Sequence, residues 1–298
     1  MPVLRLALCL LSAALAWAAD PVPVIAGSTI VHDLAARIGG ERFAVTCLVR
    51  PGISPHGYQP VPEDVRRLAG ARLVVVNGLG FEGWFENLAA EARFAGTVVV
   101  ATAGIQTLNA AACDAHDHAG HDHGPADPHP YNSIRQGVRY AENIRDALLA
   151  ADPQGAEGIR VRAAAVIDEL RRTDAWATAE LAAIPRGQRK LIVNHDALAY
   201  FAKDYGFEVL AMGTALENSQ PSASRIAELA AFIRKQGVKG VFLEQGKNPK
   251  LIEQLAAEAG VKVGAALHLD GVGAPGTPAG TYVGMFRANV EAILAALR

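Results

Sequence analysis

The 298-residue sequence lacks several features that would assign it to common functional classes. Aromatic residues make up only 6% of it, and 28 basic residues are balanced by 30 acidic ones. It therefore offers neither the stacking surface nor the positive charge that nucleic-acid binding requires. The motifs H-E-x-x-H, G-x-S-x-G and C-x-x-C do not occur either. Nucleic acid is excluded as a predicted partner, and the common hydrolase and thiol redox templates do not apply.

Long apolar runs are also scarce, and the one marked example lies at the N-terminus. Met1–Arg5 carries one positive charge, Leu6–Leu15 is apolar except for one serine, and Ala16–Ala18 has the small-x-small pattern of a signal peptidase site. The run is shorter than the roughly 20 residues that span a bilayer. The sequence therefore predicts a cleaved signal peptide over residues 1–18 and a protein exported to the periplasm.

Only three cysteines are present, and Cys9 lies within the predicted signal peptide. A large residue precedes Cys9 where a lipidation site has a small one, which disfavours a lipid anchor. For Cys47 and Cys113, an oxidising compartment permits a disulfide, which we favour. The alternative is that Cys113, which lies beside a histidine-rich stretch, is a spare thiolate ligand. Neither cysteine is predicted to be catalytic.

Short β-branched runs alternate with amphipathic stretches through both halves of the chain, a pattern typical of parallel sheets covered by helices. Between the halves, a stretch without Pro or Gly after Gly158 predicts one helix of about 45 Å. We therefore predict an α/β fold of two lobes, each a mostly parallel sheet flanked by helices, joined by one long connecting helix. The expected strands are Pro23–Ala26, Phe43–Val49, Leu73–Val76, Thr97–Ala101, Lys190–Val193, Glu208–Ala211, Gly240–Leu243 and Val261–Ala265.

The predicted organisation after the signal peptide has three parts. Residues 19–152 form the N-terminal lobe, 153–185 the connecting helix, and 186–298 the C-terminal lobe. Within the first lobe, residues 107–130 have no apolar period and are rich in Ala, Asp, His and Gly. A loop of this length inside a compact domain is usually functional or disordered.

One glycine-rich segment matches a nucleotide-binding pattern. Gly78–Gly83 reads G-x-G-x-x-G and follows the expected strand Leu73–Val76, as a site for a dinucleotide pyrophosphate would. No acidic residue occurs in Val98–Gly104, where the ribose would need one. We therefore interpret the segment as a turn that serves packing.

Nine histidines carry the functional argument, and four of them lie within eight residues of the loop 107–130. Imidazoles and carboxylates at this density bind divalent transition metals readily, without fixed geometry. A solvated polar linker is the alternative. We predict auxiliary metal ligands at His116, His118, His121 and His123.

A second group of candidate ligands is dispersed along the chain. His56 and His195 each follow an expected strand, Asp270 follows the last one, and His129 comes directly after the histidine-rich loop. Three of the four therefore lie just beyond the carboxyl ends of strands, where open α/β sheets bind ligands. Because two come from each half of the chain, a cleft between the lobes would bring them together.

Several short motifs occur in an order that is specific to one family. They are Pro51-Gly52 with Pro55-His56-x-Tyr58-x-Pro60, Asn77-Gly-Leu-Gly80 with Trp84, Asp127-Pro-His129, Asn194-His195-Asp196-Ala197 with Tyr200-Phe201, Gln220-Pro221-Ser222, and Asp270. On these motifs, nearly all of the predicted mature chain resembles the zinc- and manganese-specific substrate-binding proteins of bacterial ABC importers, the group with a long inter-lobe helix. The glycine-rich segment is a structural turn in this group. One departure is Pro130-Tyr131, which stands where most relatives carry an apolar residue and Trp.

The resemblance implies that the metal ligands are His56, His129, His195 and Asp270, and that His268 and His32 are structural. Three imidazoles and one carboxylate close a tetrahedron around Zn(II) without an open position for an activated water, so binding rather than catalysis is expected. Manganese carriers of the group have Glu at the third position, so His195 favours zinc.

The resemblance thus implies a high-affinity, monomeric carrier that captures Zn(II) in the periplasm and delivers it to an ABC-type membrane permease. The histidine-rich loop is expected to bind further zinc, and to pass ions inward or accept them from a periplasmic zinc donor protein. A manganese or iron carrier of the same family is the first alternative. A secreted zinc-dependent hydrolase is the second and less favoured one.

Deletion of Ala115–Gly124 tests the role of this loop. We expect the tight site to remain while the total zinc bound falls and loading slows when zinc is scarce, because the loop ligands lack preset geometry and bind more weakly. Zinc titration and loading rates measure both effects. Unchanged stoichiometry and rate would make the loop an inert spacer, and loss of tight binding would place a primary ligand in it.

Overall fold

The computed structural model describes residues 20–109, 126–211 and 222–298. Three predictions therefore lie outside the described residues. They are the signal peptide over residues 1–18, the four auxiliary histidines with Cys113, and the motif residues Gln220 and Pro221.

Each half of the chain contains one sheet of four parallel strands. The first sheet has the order β2-β1-β3-β4 and the second the equivalent order β6-β5-β7-β8. The predicted α/β fold of two lobes is thus confirmed. The strands are β1 (Val22–Ala26), β2 (Phe43–Cys47), β3 (Leu73–Val76), β4 (Thr97–Val100), β5 (Lys190–Val193), β6 (Glu208–Ala211), β7 (Gly240–Phe242) and β8 (Lys262–Val263).

Nine α-helices lie within the described ranges and cover the two sheets. They are α1 (Thr29–Gly39), α2 (Pro62–Ala69), α3 (Phe85–Glu91), α4 (Ile134–Ala151), α5 (Ala156–Ala182), α6 (Ala199–Tyr205), α7 (Ala223–Gln236), α8 (Lys250–Ala259) and α9 (Tyr282–Leu297). Helix α3 links the third and fourth strands of the first sheet, and α8 does the same in the second. The two lobes therefore repeat one topology. None of these helices combines the length and the apolar content of a membrane span.

The inner faces of both sheets belong to one continuous hydrophobic core. Strand residues alternate between faces, so Val24 of β1 and Leu191 of β5 enter this core, whereas Ile25 and Ile192 enter separate outer clusters. Helices α1, α4, α5 and α9 contribute to the same inner core. Because no solvent layer divides it, this core holds the two lobes in a defined relation.

The connecting helix is shorter than predicted at both ends. Residues 153–155 form a 3-10 turn, and the side chain of Asp152 accepts a hydrogen bond from the backbone N–H of Gly155 at 3.1 Å. Helix α5 then spans 27 residues, or about 40 Å. It contacts α1, where Arg162 donates to the carbonyl oxygens of Ile38 and Gly39 at 2.9 and 2.8 Å. It also contacts α4 and α9.

Four strands, β2, β4, β7 and β8, end earlier than predicted, β4 and β7 by one residue and β2 and β8 by two. Strand β2 ends at Cys47, before the turn that begins at Pro51. Strand β8 ends at Val263, and the backbone of Gly264 that follows lies against the ring of Phe242, where an added Cβ would come within 2.2 Å of a ring carbon. Pairing resumes only as a single bridge between Glu244 and Leu267.

Within the described residues Cys47 pairs with no other cysteine, and its thiol donates a hydrogen bond to the carbonyl oxygen of Val49 at 3.0 Å. Burial raises the pKa of this thiol to about 12. Its predicted disulfide partner, Cys113, lies outside the described residues, so the disulfide stays a prediction.

Substitution within α5 tests the shared core. Leu170 is 0% exposed and Val161 is 59% exposed on the same helix. We expect Leu170→Ala to lower the free energy of unfolding by about 2–5 kcal/mol, since it removes buried methyl groups and leaves a cavity. The control Val161→Ala should change it by less than about 0.5 kcal/mol. Urea denaturation measures both, and equal losses would contradict the assigned packing.

Candidate metal centre

The four dispersed candidates converge at the edges of the sheets where the strands have their carboxyl ends. His56 lies in the loop after β2 and His195 in the loop after β5, whereas Asp270 follows the bridge at Leu267. His129 directly precedes the 3-10 turn that leads into α4. Each offers one ligand atom, and these four atoms lie within 4.8 Å of one another. The structure thus brings together all four side chains that the sequence singled out.

The distances between these atoms are those of a compact polar cluster. Nε2 of His56 lies 2.9 Å from Nε2 of His129, and Nδ1 of His195 lies 3.4 Å from Oδ1 of Asp270. Nε2 of His56 is 3.9 Å from the same oxygen. The imidazole rings meet edge to face, with centroids 4.9 to 5.6 Å apart. No two of these rings stack, and one nitrogen of each belongs to the group of ligand atoms within 4.8 Å of one another.

His129 is oriented by the carboxylate of Asp127. Oδ1 of Asp127 accepts hydrogen bonds from the backbone N–H of His129 at 2.9 Å and from its Nδ1 at 2.7 Å. A proton held at Nδ1 leaves the lone pair on Nε2, the nitrogen that faces His56. The Asp127-Pro-His129 motif therefore fixes the ring and its tautomer.

Asp270 is held with one oxygen toward the cluster. Its Oδ2 accepts a hydrogen bond from the hydroxyl of Ser54, whereas no hydrogen bond from the described residues reaches the buried Oδ1. Burial by itself raises the pKa of a carboxyl, but the imidazoles of His195, His56 and His129, with the Ser54 hydroxyl, lower the pKa of Asp270 to about 2. The side chain is therefore ionised, with a free acceptor atom directed at the imidazoles.

At Pro130-Tyr131 the sequence differs from most relatives, but these residues still form a closed surface beside the cluster. Tyr131 is fully buried, and its ring packs against Phe81 and His129 with centroid distances of 5.2 and 6.0 Å. Phe81 in turn packs edge to face on His56 at 4.7 Å. Two aromatic rings thus exclude water from one side of the histidines.

Two further groups near the cluster were not predicted. The buried Glu244 follows β7 and places Oε2 3.7 Å from Nδ1 of His195. Asn132 donates two hydrogen bonds across the cleft, to Ala197 and Leu269. The position of Glu244 just beyond a strand, as for His195, is a signal that could have indicated it. Asn132 carries no such signal in the sequence.

The remaining predicted residues lie apart from the cluster. His32 is in α1, and the half-buried His268 lines a neighbouring cavity of about 230 Å³. Neither belongs to the group of side chains that could hold an ion. The four auxiliary histidines fall outside the described residues.

The glycine-rich segment is a turn closed by its own carboxylate. Gly78, Leu79 and Gly80 all have positive φ, between 57° and 87°. The Glu82 carboxylate accepts hydrogen bonds from the backbone N–H groups of Asn77 at 2.9 Å and Gly78 at 3.3 Å. These donors are therefore already satisfied by the chain itself. The Asn77 side chain also donates to the carbonyl oxygen of Pro128, next to His129, at 3.0 Å.

The sequence model of one protein family, the zinc-uptake complex component A, periplasmic (ZnuA), matches residues 24–296. The chain belongs to this family. It is 33% identical over 285 residues to the manganese-binding lipoprotein MntA of Bacillus subtilis, covering 92% of this chain and 89% of the relative. The iron-binding protein YfeA of Yersinia pestis is 31% identical, over 91% of this chain and 84% of its own. The structure is similar to the periplasmic zinc binding protein TroA of Treponema pallidum, with a TM-score of 0.81 and 28% identity over 94% and 99% of the two chains.

Membership of the ZnuA family makes the chain a metal-binding, periplasmic substrate-binding protein of an ABC importer, a class whose partner is a membrane permease. Family members are substrate-binding proteins, not enzymes. The relatives are named for manganese, iron and zinc, so membership alone leaves the choice of ion open.

Glu82, in the glycine-rich turn beside the cluster, gives a prediction of how stability depends on pH. Burial raises the pKa of Glu82 from 4.5 to about 7, although the hydrogen bonds from Asn77 and Gly78 oppose this. Between pH 4.5 and 7 the folded chain then binds more protons at this group than the unfolded chain, so stability falls as the pH rises. From pH 4.5 to 7 the free energy of unfolding of the wild type should fall by about 3 kcal/mol more than that of the Glu82→Gln protein. Urea denaturation across this range measures both. Parallel curves for the two proteins would contradict the assignment.

Proposed function

We propose that this protein captures Zn(II) in the periplasm and delivers it to the ABC-type permease, with His56, His129, His195 and Asp270 as the ligands. The observation that carries the proposal is the set of three imidazoles and one ionised carboxylate whose ligand atoms lie within 4.8 Å of one another. A zinc tetrahedron with bonds of 2.0–2.1 Å has edges of about 3.3 Å. The separations of 2.9, 3.4 and 3.9 Å between ligand atoms lie within about 0.6 Å of that edge.

The hydrogen bond from Ser54 supports four-coordination. Because Ser54 engages Oδ2 of Asp270, the carboxylate presents only Oδ1 to an ion. One oxygen and three nitrogens complete the tetrahedron that zinc prefers in closed sites. Such a site keeps no position for an activated water, which favours carriage of the ion over hydrolysis.

The cavity beside the cluster offers a path for the ion. It is lined by the loop that carries Ser54 and by the segment from His268 to Ala274, which includes Asp270. Ile53, at the same rim, is exposed. An ion that enters here meets the Asp270 carboxylate before it reaches the buried His129.

A manganese carrier is the second candidate, and Glu244 is the observation that favours it. Manganese prefers more oxygen ligands than zinc does. The Glu244 carboxylate, 3.7 Å from His195, is close enough that a small side-chain movement would add oxygen to the cluster. The two candidates therefore differ in whether Glu244 becomes a ligand.

The remaining parts of the proposal rest on the sequence. The signal peptide over residues 1–18 directs export, and the mature chain acts as a monomer. His116, His118, His121 and His123 hold further zinc more weakly and exchange it with the cleft or with a periplasmic zinc donor protein.

Substitution of the proposed ligands tests the site. We expect zinc binding to weaken by more than about 100-fold in each of four variants, His56→Ala, His129→Ala, His195→Ala and Asp270→Ala. Each substitution removes a direct bond to the ion, and loss of a residue that only supports a ligand already weakens metal binding by up to about 100-fold. The matched controls His32→Ala and His268→Ala should bind as wild type. Calorimetric titration of the metal-free protein measures both sets. Loss of binding in the His268 variant with retention in the Asp270 variant would overturn the ligand set.

The choice of ion is tested in the same titrations. Zinc at about 1,000 times its dissociation constant should stabilise the fold by about 4 kcal/mol, and manganese at equal concentration by much less. Glu244→Gln should leave zinc affinity within a few-fold of wild type. Equal stabilisation by manganese that disappears in the Glu244→Gln protein would favour the manganese carrier. Hydrolysis by the zinc-loaded protein would favour the enzyme alternative.

A further inference from the structure

One amide side chain bridges the two lobes at the proposed site. Asn132 lies three residues after His129, in the 3-10 turn before α4, and is almost completely buried. Its Nδ2 donates to the carbonyl oxygen of Ala197 at 3.0 Å and to that of Leu269 at 2.9 Å. Both acceptors belong to the opposite lobe, and both hydrogen atoms of the amide are used.

The two acceptors are placed next to two proposed ligands. Ala197 follows His195 by two residues, and its backbone N–H donates to the carbonyl oxygen of His195 at 3.0 Å. Leu269 directly precedes Asp270 and is itself buried. Asn132 therefore bonds to both ligand-bearing segments of the C-terminal lobe from a turn that begins at the ligand His129.

The turn that carries Asn132 is itself anchored on either side. The carbonyl oxygen of Tyr131 accepts a hydrogen bond from the hydroxyl of Tyr282 at 2.7 Å. The hydroxyl of Ser133 donates to Asp204 at 2.6 Å. The backbone that carries the Asn132 amide is thus held in place on both sides. The amide in turn fixes the position of the two acceptor segments relative to this turn.

We propose that Asn132 is a positioning residue that sets the separation of His129, His195 and Asp270 before the ion binds. The inference rests on the proposed ligand set. Buried carbonyl oxygens without a partner are costly, so the two segments stay on the amide as long as it is present. Without it, each segment relaxes toward other partners, and ion binding must reverse that change.

Asn132→Leu tests this role because it keeps a similar volume and removes both donors. We expect the dissociation constant for zinc to rise about tenfold, because fewer metal-free molecules have the ligands in place. Release should also be faster, because without the amide the two segments strain the ligands of the bound ion. Release is measured by transfer of zinc to a chelator in stopped flow. The visible spectrum of the Co²⁺-loaded protein reports whether the four-coordinate geometry is changed.

The chain offers a matched control. Nδ2 of Asn143 also donates to two carbonyl oxygens, those of Ala101 and Ala103 at 2.8 and 2.9 Å, but both are in its own lobe. Asn143→Leu should lower stability without changing zinc release or the Co²⁺ spectrum. A second variant, Asn132→Ser, retains one short donor, should give an intermediate release rate, and carries the test if the Leu variant does not fold.

The outcomes separate this inference from the proposed function. Zinc binding by wild type tests the proposed function, whereas only the ratio of variant to wild type tests Asn132. Faster release with an altered Co²⁺ spectrum in Asn132→Leu, and neither in Asn143→Leu, supports the positioning role. Unchanged release in both Asn132 variants, or an effect equal to that of Asn143→Leu, overturns it.

Discussion

The continuous core between the two sheets is the constraint on which the candidate site depends. Two of the four side chains come from each lobe, so a cluster that spans 4.8 Å exists only if the lobes keep a defined separation. Helices α1, α4, α5 and α9 fill the space between the sheets with one uninterrupted set of buried side chains. Apolar packing at native density resists displacement because even small gaps forfeit dispersion contacts. The metal-binding chemistry at the cleft is therefore supported by packing that begins far from it.

The candidate site combines three acidic side chains with three imidazoles. Asp127, Glu244 and Asp270 surround three imidazoles, and the Oε2 of Glu244 that faces His195 also lies 3.9 Å from the ammonium group of Lys247. With neutral histidines the formal charge of the cluster is negative, which favours a divalent cation over an anion or a neutral ligand. The aromatic side of the cluster, formed by Phe81 and Tyr131, lowers the local dielectric and strengthens that preference.

The sequence predicted the features that are encoded locally. Strand–helix alternation predicted two parallel sheets covered by helices, and histidines placed after strands indicated where the candidate ligands would meet, because carboxyl ends of parallel strands share one edge of a sheet. Contacts that depend on how the lobes meet could not be read in this way. Ser54 reaches Asp270 across 216 residues and Asn132 reaches Leu269 across 137, with no periodic pattern to mark either pair. The close contact of the Phe242 ring with Gly264, just past the end of β8, likewise has no pattern in the sequence to mark it.

The pair formed by His56 and His129 shows why the site is suited to reversible binding. Two neutral imidazole nitrogens 2.9 Å apart can share one hydrogen, and with a proton on Nδ1 of His129 facing Asp127, that hydrogen would be carried by Nε2 of His56. To offer Nε2 to an ion, a neutral His56 must carry its proton on Nδ1 instead, and the pair must widen toward the edge of a metal tetrahedron, about 3.3 Å. The intramolecular hydrogen bond therefore competes with the ion for the same lone pairs. It stabilises the metal-free state by a net amount on the order of 1 kcal/mol, which reduces affinity but gives the cluster a defined structure to return to when the ion leaves.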